Sequence, residues 1–241
     1  MIYRFLTLDS TMTEAQRLAA EGCPHLTAVV AEEQTAGRGR HGRAWHSARG
    51  EGLYVTVVLR LDLGPEDLPA ITLALGLATA AAITDVADVV CDLRWPNDVL
   101  VNGKKCAGVL TELHGGAILA GIGVNANQIS FPEDLADIAT SLRIATGKPA
   151  SLDVLLASLL ARVDEITGLL QQQGREPVLR LFEQASSYVR GKRVTVESPS
   201  EQVVGVTEGL DASGFLWLRR DDGERITIRA GGVRPAASLC S

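Results

Sequence analysis

Cysteine is scarce in this 241-residue sequence. The four cysteines, Cys23, Cys91, Cys106 and Cys240, are isolated and form no C-x-x-C pair, and the four histidines show no metal-binding spacing. This pattern argues against a disulfide framework or a zinc site and is typical of a reducing compartment. We therefore expect a cytoplasmic protein, and the sequence alone designates no metal ligands.

Long hydrophobic runs are also missing. The longest uncharged run, "LPAITLALGLATAAAIT", covers residues 68–84 and is shorter than the about 20 apolar residues that a membrane-spanning helix needs. The opening segment "MIYRFLTLDS" has no apolar signal core followed by a cleavage site. We expect a buried helix in this run and no membrane partner.

Positively charged residues are outnumbered, since 23 Lys and Arg residues face 29 Asp and Glu residues and the formal net charge is -6. The whole protein is thus a poor electrostatic binder of nucleic acid. Residues 34–50 nevertheless contain Arg38, Arg40, Arg43 and Arg49 without a single acid. Glycines allow close backbone approach, and guanidinium groups match phosphate and carboxylate. The loop "TAGRGRHGRAW", residues 35–45, is therefore predicted to hold an anion. The alternative is a solvated surface loop, in which the mutual repulsion of the arginines would stay unrelieved.

The letters "GRGRHG" at residues 37–42 match the dinucleotide-binding pattern G-x-G-x-x-G. That pattern must follow a strand and open a helix. Here "RAWHSARGEG" is a poor helix start and leads into another strand, so the Rossmann interpretation is rejected.

Hydrophobic periodicity and turn signals predict the order of elements. Thr11 and Glu14 have capping-box spacing and predict a helix over residues 12–21. Asn102-Gly103 predicts a hairpin. Strands are predicted at residues 26–33, 53–60, 91–95, 98–101, 105–113 and 117–124, and helices at residues 66–84, 151–174 and 176–189. Hairpins without repeating βαβ units predict an α+β fold with a mixed or antiparallel central sheet flanked by helices.

The pattern changes past Gly191 to short strands at residues 193–197, 202–210, 215–220 and 225–230. Such strands predict a small barrel. We place the boundary near residues 188–191, which gives domains 1–188 and 189–241. Between Lys192 and Arg234 seven basic and seven acidic residues balance, whereas a nucleic-acid-binding barrel is normally basic.

A second polar constellation lies in "RWPNDVLVNGKKCAGVLTE", residues 94–112. The predicted hairpin would bring Asn97 and Asp98 within reach of Lys104 and Lys105. An Asp and a Lys at one site could position a metal or an ammonium and neutralise phosphate; an ordinary turn at residues 96–98 is an equal alternative. Gly108 inside a strand indicates a bulge or the close approach of a ligand.

The strings "DSTM", "EEQTAGRGRHGRAW", "RWPNDVLVNGKKCAGVLTE" and "GIGVN", in this order and spacing, resemble the bacterial biotin protein ligases, or biotin–acetyl-CoA-carboxylase ligases. The similarity covers nearly the whole chain. It implies a class II synthetase-like catalytic domain followed by an SH3-like barrel. It also implies an ATP-dependent, AMP-forming ligase that uses ATP and Mg²⁺ to convert biotin to biotinoyl-AMP and pyrophosphate. Biotin then passes to one lysine of a biotin carboxyl carrier protein.

The resemblance also implies which residues bind the substrates. The residues expected to bind biotin are Ser10, Thr11, Gln34, Gly37, Arg38, Gly39, Arg40, Lys105 and Gly108. Those expected near the nucleotide are Arg40, Trp45, Asn97, Lys105 and Asn125, with Trp45 packed by the adenine; a core tryptophan is the alternative.

The catalytic residues that the resemblance implies are Lys105, Arg38 and Asp98. Lys105 and Arg38 would offset the repulsion between the biotin carboxylate and the α-phosphate. Asp98 would serve either as a base for the acceptor lysine or as a group that orients other residues.

The chain departs from the family in two ways. Met12 stands where an asparagine is common, which puts in doubt a biotin contact of that side chain. Family members that repress biotin synthesis carry an N-terminal winged helix-turn-helix, which is not seen in this sequence. We therefore expect a monofunctional ligase without DNA binding; a monomer and an edge-to-edge homodimer both stay open.

Two other functions compete with this interpretation. A lipoate or octanoate transferase would share the fold and the lysine, but the "GRGRHGR" loop and the "WPND" string favour biotin. A non-enzymatic nucleic-acid-binding module would use the arginine loop, but the acidic balance of the chain disfavours it. His41 is given no role beyond the loop surface.

Overall fold

The computed structural model describes residues 1–197 and 202–236. The first sheet consists of β1 (Ile2–Leu8), β2 (Thr27–Gln34), β3 (Gly52–Leu59), β4 (Cys91–Arg94), β5 (Asp98–Val101), β6 (Lys104–His114) and β7 (Ala117–Asn125). The helices are α1 (Thr11–Ala20), α2 (Leu68–Ala87), α3 (Leu142–Thr146), α4 (Leu152–Gln173) and α5 (Arg175–Gln184). The second sheet consists of β8 (Arg190–Glu197), β9 (Gln202–Leu210), β10 (Leu216–Arg220), β11 (Arg225–Ile228) and β12 (Gly232–Pro235). Residues 198–201 and 237–241 of the predicted second domain, Cys240 among them, lie outside the described residues.

The first sheet has the strand order β1-β2-β3-β7-β6-β5-β4, and only β1 and β2 are parallel neighbours. Asn102 and Gly103 turn the chain from β5 to β6 with φ angles of 52° and 76°. A two-residue hairpin turn of this kind needs positive φ at both positions, which Asn and Gly tolerate. The predicted hairpin is confirmed, and its register places Asp98 opposite Gly108.

Strand β1 and its parallel pairing were not among the predicted elements. β1 lies at an edge of the sheet, and its apolar residues Ile2 and Leu6 are exposed. An edge strand with little buried surface lacks the clear alternation that reveals a strand in a sequence. The chain therefore opens with one βαβ unit, formed by β1, α1 and β2. The prediction also missed α3 and β12, which are only five and four residues long.

Helix α2 forms the centre of the core and contains the long apolar run. Residues Pro65–Ala87 have the length and mean hydropathy, 1.7, of a membrane span. In the fold, however, α2 packs against α4, α5 and β6, and Ile71, Leu73 and Leu75 are fully buried. The prediction of a buried core helix is confirmed for this segment.

The second sheet is antiparallel throughout, with the order β11-β10-β9-β8-β12. Val194, Val196, Leu216 and Leu218 from this sheet belong to the same buried cluster as α2 and the first sheet. A mixed sheet flanked by helices and followed by this small antiparallel unit confirms the predicted α+β class. The division into domains 1–188 and 189–241 stays a prediction.

Candidate active site

The loop between β2 and β3 lies over a pocket formed by α1, β6 and β7. Two of its arginines anchor it to other elements. Arg38 pairs with Glu112 on β6 at 3.0 Å, and the second carboxylate oxygen of Glu112 accepts from Gln16 on α1 at 3.3 Å. Arg40 donates to Asn97 Oδ1 at 3.1 Å and to the Gly231 carbonyl oxygen at 3.3 Å. The loop is therefore held by α1, β6 and the second sheet together.

One end of the pocket carries neutral hydrogen-bonding groups. Gln34 Oε1 accepts from the Thr11 backbone N–H at 2.8 Å and from Thr11 Oγ1 at 3.1 Å, while Gln34 Nε2 donates to Ser47 Oγ at 2.9 Å. Ser10, not Thr11, caps α1, because the Ser10 hydroxyl accepts from the Met12 N–H. The capping box predicted from Thr11 and Glu14 is thus wrong. The Thr11 hydroxyl is used in the pocket, where it also bonds Thr56 at 2.8 Å.

Trp45 occupies the middle of the pocket, against two glycines. A Cβ atom at Gly108 would lie 3.1 Å from the indole, and one at Gly123 would lie closer still. These strands can accept a flat ring only because the two positions lack side chains. Trp45 Nε1 is buried and has no acceptor within the described part of the chain. The remaining enclosed volume is about 50 Å³.

Lys105 lies beside the indole, 5.2 Å from the ring centroid, and is held by a carboxylate. Its Nζ is 2.5 Å from Asp98 Oδ1, and Arg94 bonds Asp98 Oδ2 at 2.7 Å. Burial alone would raise the pKa of the Asp98 carboxyl, but the charges and hydrogen bonds of Lys105 and Arg94 hold this pKa below its ordinary value. Asp98 is therefore an ionised anchor for two cations at neutral pH.

Of the other arginines of the loop, Arg49 pairs with Glu33 at 2.9 Å, whereas Arg40 and Arg43 have no carboxylate within salt-bridge distance among the described residues. Burial lowers the pKa of Arg40; the charge of Asp98 opposes this effect and the charge of Arg43 adds to it. A guanidinium nevertheless stays protonated in proteins. His41 has a left-handed backbone, with φ 57°, at the exposed tip of the loop. Partial desolvation, together with the charges of Arg40 and Arg43, lowers its pKa below the ordinary value.

The structure brings most of the predicted site residues to this one pocket. Its lining includes Ser10, Thr11, Gln34, Arg38, Gly39, Arg40, Trp45, Asn97, Lys105 and Gly108. Three predicted residues lie outside the lining. Gly37 is part of the loop itself and packs against the Trp45 carbonyl oxygen and Ser47. Asp98 acts through Lys105, and Asn125 Nδ2 donates to the Thr140 carbonyl at 3.1 Å.

Several lining residues were missed by sequence reasoning. They are Met12, Val55, Val109, Leu110, Gly121, Ile122 and Gly123. The sequence "GIGVN" could have indicated two of them, because Gly121 and Gly123 are two positions apart in a strand and therefore share one face of β7. Met12 is buried, and its sulfur would lie 3.0 Å from a Cβ at Gly121. It therefore closes an apolar wall with its own side chain.

A resident metal site is not formed by side chains in residues 1–197 and 202–236. No group of three His, Cys, Asp or Glu residues comes together there, and Asp98 is already engaged by two cations. Mg²⁺ usually binds through one or two carboxylates plus substrate phosphates. The residues present thus fit an ion that arrives with a nucleotide better than a resident ion.

Together these contacts define a pocket with a neutral polar end, a flat aromatic wall and three cations. Lys105, Arg38 and Arg40 can offset the charge of two anions brought together. The hydroxyl and amide groups of Thr11 and Gln34 can exchange hydrogen bonds with a neutral polar group. The arrangement suits the condensation of a carboxylate with a phosphate.

Comparison with known proteins gives the family. Residues 5–128 match the biotin/lipoate A/B protein ligase family, and residues 190–233 match the biotin protein ligase C terminal domain. The biotin–acetyl-CoA-carboxylase ligase of Mycobacterium tuberculosis is 37% identical over 85% of this chain and 77% of its own length. The corresponding ligase of Paracoccus denitrificans is 32% identical over 90% and 94%.

A solved structure supports the same assignment. The biotin protein ligase from Aquifex aeolicus in complex with biotin and ATP is 30% identical, with a TM-score of 0.85 over 97% of each chain. This match confirms the predicted architecture, including the small C-terminal barrel. The chain therefore belongs to the biotin/lipoate A/B protein ligase family, and within it to the biotin protein ligases.

Proposed function

We propose that this chain activates biotin with ATP and transfers it to a lysine of a biotin carboxyl carrier protein. The observation that carries the proposal is the convergence of Thr11 and Gln34 with Lys105, Arg38 and Arg40 in one pocket. The neutral groups suit the uncharged polar ring of biotin, and the cations suit a carboxylate meeting a phosphate.

In the first step, a biotin carboxylate oxygen attacks the α-phosphorus of ATP. A phosphorus–oxygen bond forms, the bond to the bridging oxygen breaks, and pyrophosphate leaves. Mg²⁺ held by the substrate phosphates would neutralise part of their charge. Lys105 and Arg38 reduce the repulsion between the two anions and stabilise the charge that develops on the phosphate. Trp45 offers its ring to the adenine, and its buried Nε1 is available to donate a hydrogen bond to a substrate.

In the second step, the neutral amine of the carrier lysine attacks the acyl carbon of biotinoyl-AMP. An amide bond forms, the bond to AMP breaks, and one proton is released to solvent. We assign Asp98 the orienting role rather than that of the base, because its lowered pKa and its two cationic partners make it a weak proton acceptor.

The partners and the domain roles belong to the same proposal. Residues 1–188 would carry both half-reactions and residues 189–241 would form the accessory barrel, in a cytoplasmic monomer or homodimer. The balanced charge of residues 192–234 disfavours DNA binding. Specific retardation of an operator fragment by the purified protein at physiological salt would contradict this part.

A biotin-dependent exchange of pyrophosphate into ATP tests the central claim. We expect pyrophosphate to exchange into ATP when biotin is present. Labelled biotin should pass to a carrier protein only after biotinoyl-AMP has formed. Lipoate and octanoate serve as competing substrates in parallel. If lipoate supported the exchange and biotin did not, the protein would be a lipoate ligase and the proposal would be wrong.

A further inference from the structure

A second cavity adjoins the pocket. It lies between the N-terminal end of α2, the residues before β5, and the second sheet, and it encloses about 230 Å³. Arg40, Val109 and Leu110 line both cavities. We call it the vestibule. Because Arg40 lines both cavities, a group bound in the vestibule would lie next to the pocket that the proposed function assigns to the carboxylate and the phosphate.

The walls of the vestibule are mainly apolar. Pro69, Trp95, Pro96 and Phe215 contribute to them, and the Trp95 N–H is already bonded to the Gly214 carbonyl at 3.0 Å. The hydroxyls of Thr72 and Thr111 lie 2.6 Å apart and bond each other. Apart from its two arginines, the described lining thus offers few free donors, and its uncharged walls suit an aliphatic side chain better than a strongly hydrated ion.

Two arginines give the vestibule a positive charge. Arg40 and Arg229 both line it, and neither has a carboxylate within salt-bridge distance among the described residues. By contrast, Arg193, Arg219 and Arg234 of the second sheet are each paired with an acid. The Arg229 guanidinium lies 5.7 Å from the Phe215 ring. Unpaired cations around an apolar space favour a ligand with an aliphatic part and a nearby carboxylate.

Pyrophosphate is the other anion of the reaction, and the vestibule fits it poorly. A phosphate site needs several N–H or O–H donors converging on its oxygens. Here the Thr72 and Thr111 hydroxyls are engaged by each other and by the Leu68 carbonyl oxygen. Arg40 already donates to Asn97 and to the Gly231 carbonyl oxygen, so Arg229 is the main charged donor left in the lining, and the other wall side chains are apolar. Burying a phosphate against that wall would cost more than burying an aliphatic side chain, which is itself favourable.

We propose that the vestibule receives the carrier protein beside its acceptor lysine. An aliphatic residue next to that lysine packs against Phe215 and Trp95, and an acidic residue of the carrier pairs with Arg229. This inference rests on the proposed function, because it assigns the second substrate of that reaction. It makes Phe215 and Arg229 determinants of carrier recognition.

Charge reversal at Arg229 is the sharpest test. In Arg229→Glu we expect the KM for the biotin carrier domain of acetyl-CoA carboxylase to rise about tenfold or more, because like charges at an interface are strongly unfavourable. The rate of biotin-dependent pyrophosphate exchange and the KM for ATP stay at the wild-type values. Arg180→Glu is the matched control, since Arg180 is an exposed arginine of α5 that does not line the vestibule.

Two further measurements complete the design. Phe215→Ala should raise the carrier KM without changing exchange, and replacing the matching carrier acid by lysine should restore transfer by Arg229→Glu. An unchanged carrier KM in both variants overturns the inference, as does a rise confined to the KM for ATP or pyrophosphate, which would assign the vestibule to phosphates. If the wild-type protein fails to catalyse any biotin-dependent exchange, the proposed function itself fails, and the two failures are thus distinguishable.

Discussion

Lys105 depends on a neighbouring carboxylate for its position. Asp98 fixes both Lys105 and Arg94 with side chains that are only 16–28% exposed. Asp98→Asn keeps the shape but removes the charge, which costs about 1.5–3 kcal/mol for hydrogen bonds to charged groups. We expect biotin-dependent pyrophosphate exchange to fall at least about tenfold, measured with the variant shown to be folded by circular dichroism. Asp92→Asn, which alters a carboxylate bonded to Ser187, should leave exchange unchanged.

The same carboxylate gives a prediction for the pH dependence of stability. The pKa of Asp98 in the folded chain lies below its ordinary value of 3.8. Its contribution is therefore fully present above about pH 4 and is lost as the pH falls through the lowered folded pKa. Urea unfolding at a series of pH values should show a shallower decline below pH 4 for Asp98→Asn than for the wild type. Identical slopes would mean that Asp98 is not ion-paired in the folded state.

The Arg38–Glu112 pair should position the loop for biotin. Its side chains are 43% and 28% exposed, so the pair is worth at most about 1 kcal/mol. We expect Glu112→Gln to raise the KM for biotin up to about fivefold with little change in kcat. Arg38→Ala should nearly abolish adenylate formation, and adding Glu112→Gln to it should cause no further loss. Independent effects in this double-mutant cycle would show that Glu112 does not act through Arg38.

At the scale of elements, the loop packs against strand β7 only because Gly123 has no side chain. The Trp45 indole lies where a Cβ at Gly123 would be. Gly123→Ala should displace the ring, shift tryptophan fluorescence and reduce biotin-dependent exchange at least about tenfold, while circular dichroism stays native. Gly232→Ala is the control, because a Cβ there meets nothing within 4 Å. Wild-type fluorescence and exchange in Gly123→Ala would contradict this placement of Trp45.

The elements with strong local signals were predicted, and those with weak local signals were not. The Asn102-Gly103 hairpin follows from turn chemistry, and the apolar length of α2 indicates a buried helix. Strand β1 was missed, because the exposure of Ile2 and Leu6 at the sheet edge leaves no clear alternation. The capping residue of α1 was misassigned, because the Thr11 hydroxyl bonds the distant Gln34 and Thr56 instead of capping the helix. The family resemblance was needed to predict that the motif residues share one pocket. The spacing of residues along the sequence does not specify which faces of β6 and β7 lie against the loop.

At the scale of the whole molecule, the second sheet is an integral part of the core. Its buried side chains join the cluster around α2, Gly231 accepts a hydrogen bond from Arg40, and Gly214 packs against Leu73 and Leu179. A rigid connection of this kind keeps Arg229 and Phe215 beside the pocket. The barrel can therefore influence catalysis without contributing a predicted catalytic residue.

A continuous core predicts one cooperative unfolding transition for the whole chain. Trp95 is 3% exposed and joins the two sheets through its bond to the Gly214 carbonyl. Trp95→Phe leaves that buried carbonyl without its donor at a cost of about 1–3 kcal/mol, which corresponds to a decrease in Tm of about 2–12 °C. Calorimetry should show a single peak that moves as a whole. Trp217→Phe, a change within the second sheet at a ring stacked on Arg225, should shift the same single peak by a smaller amount. Two separate peaks, with only one of them moved by Trp95→Phe, would mean that the second sheet unfolds independently of the first. The hydrogen bond from Arg40 to the Gly231 carbonyl oxygen would then be lost whenever the second sheet unfolds.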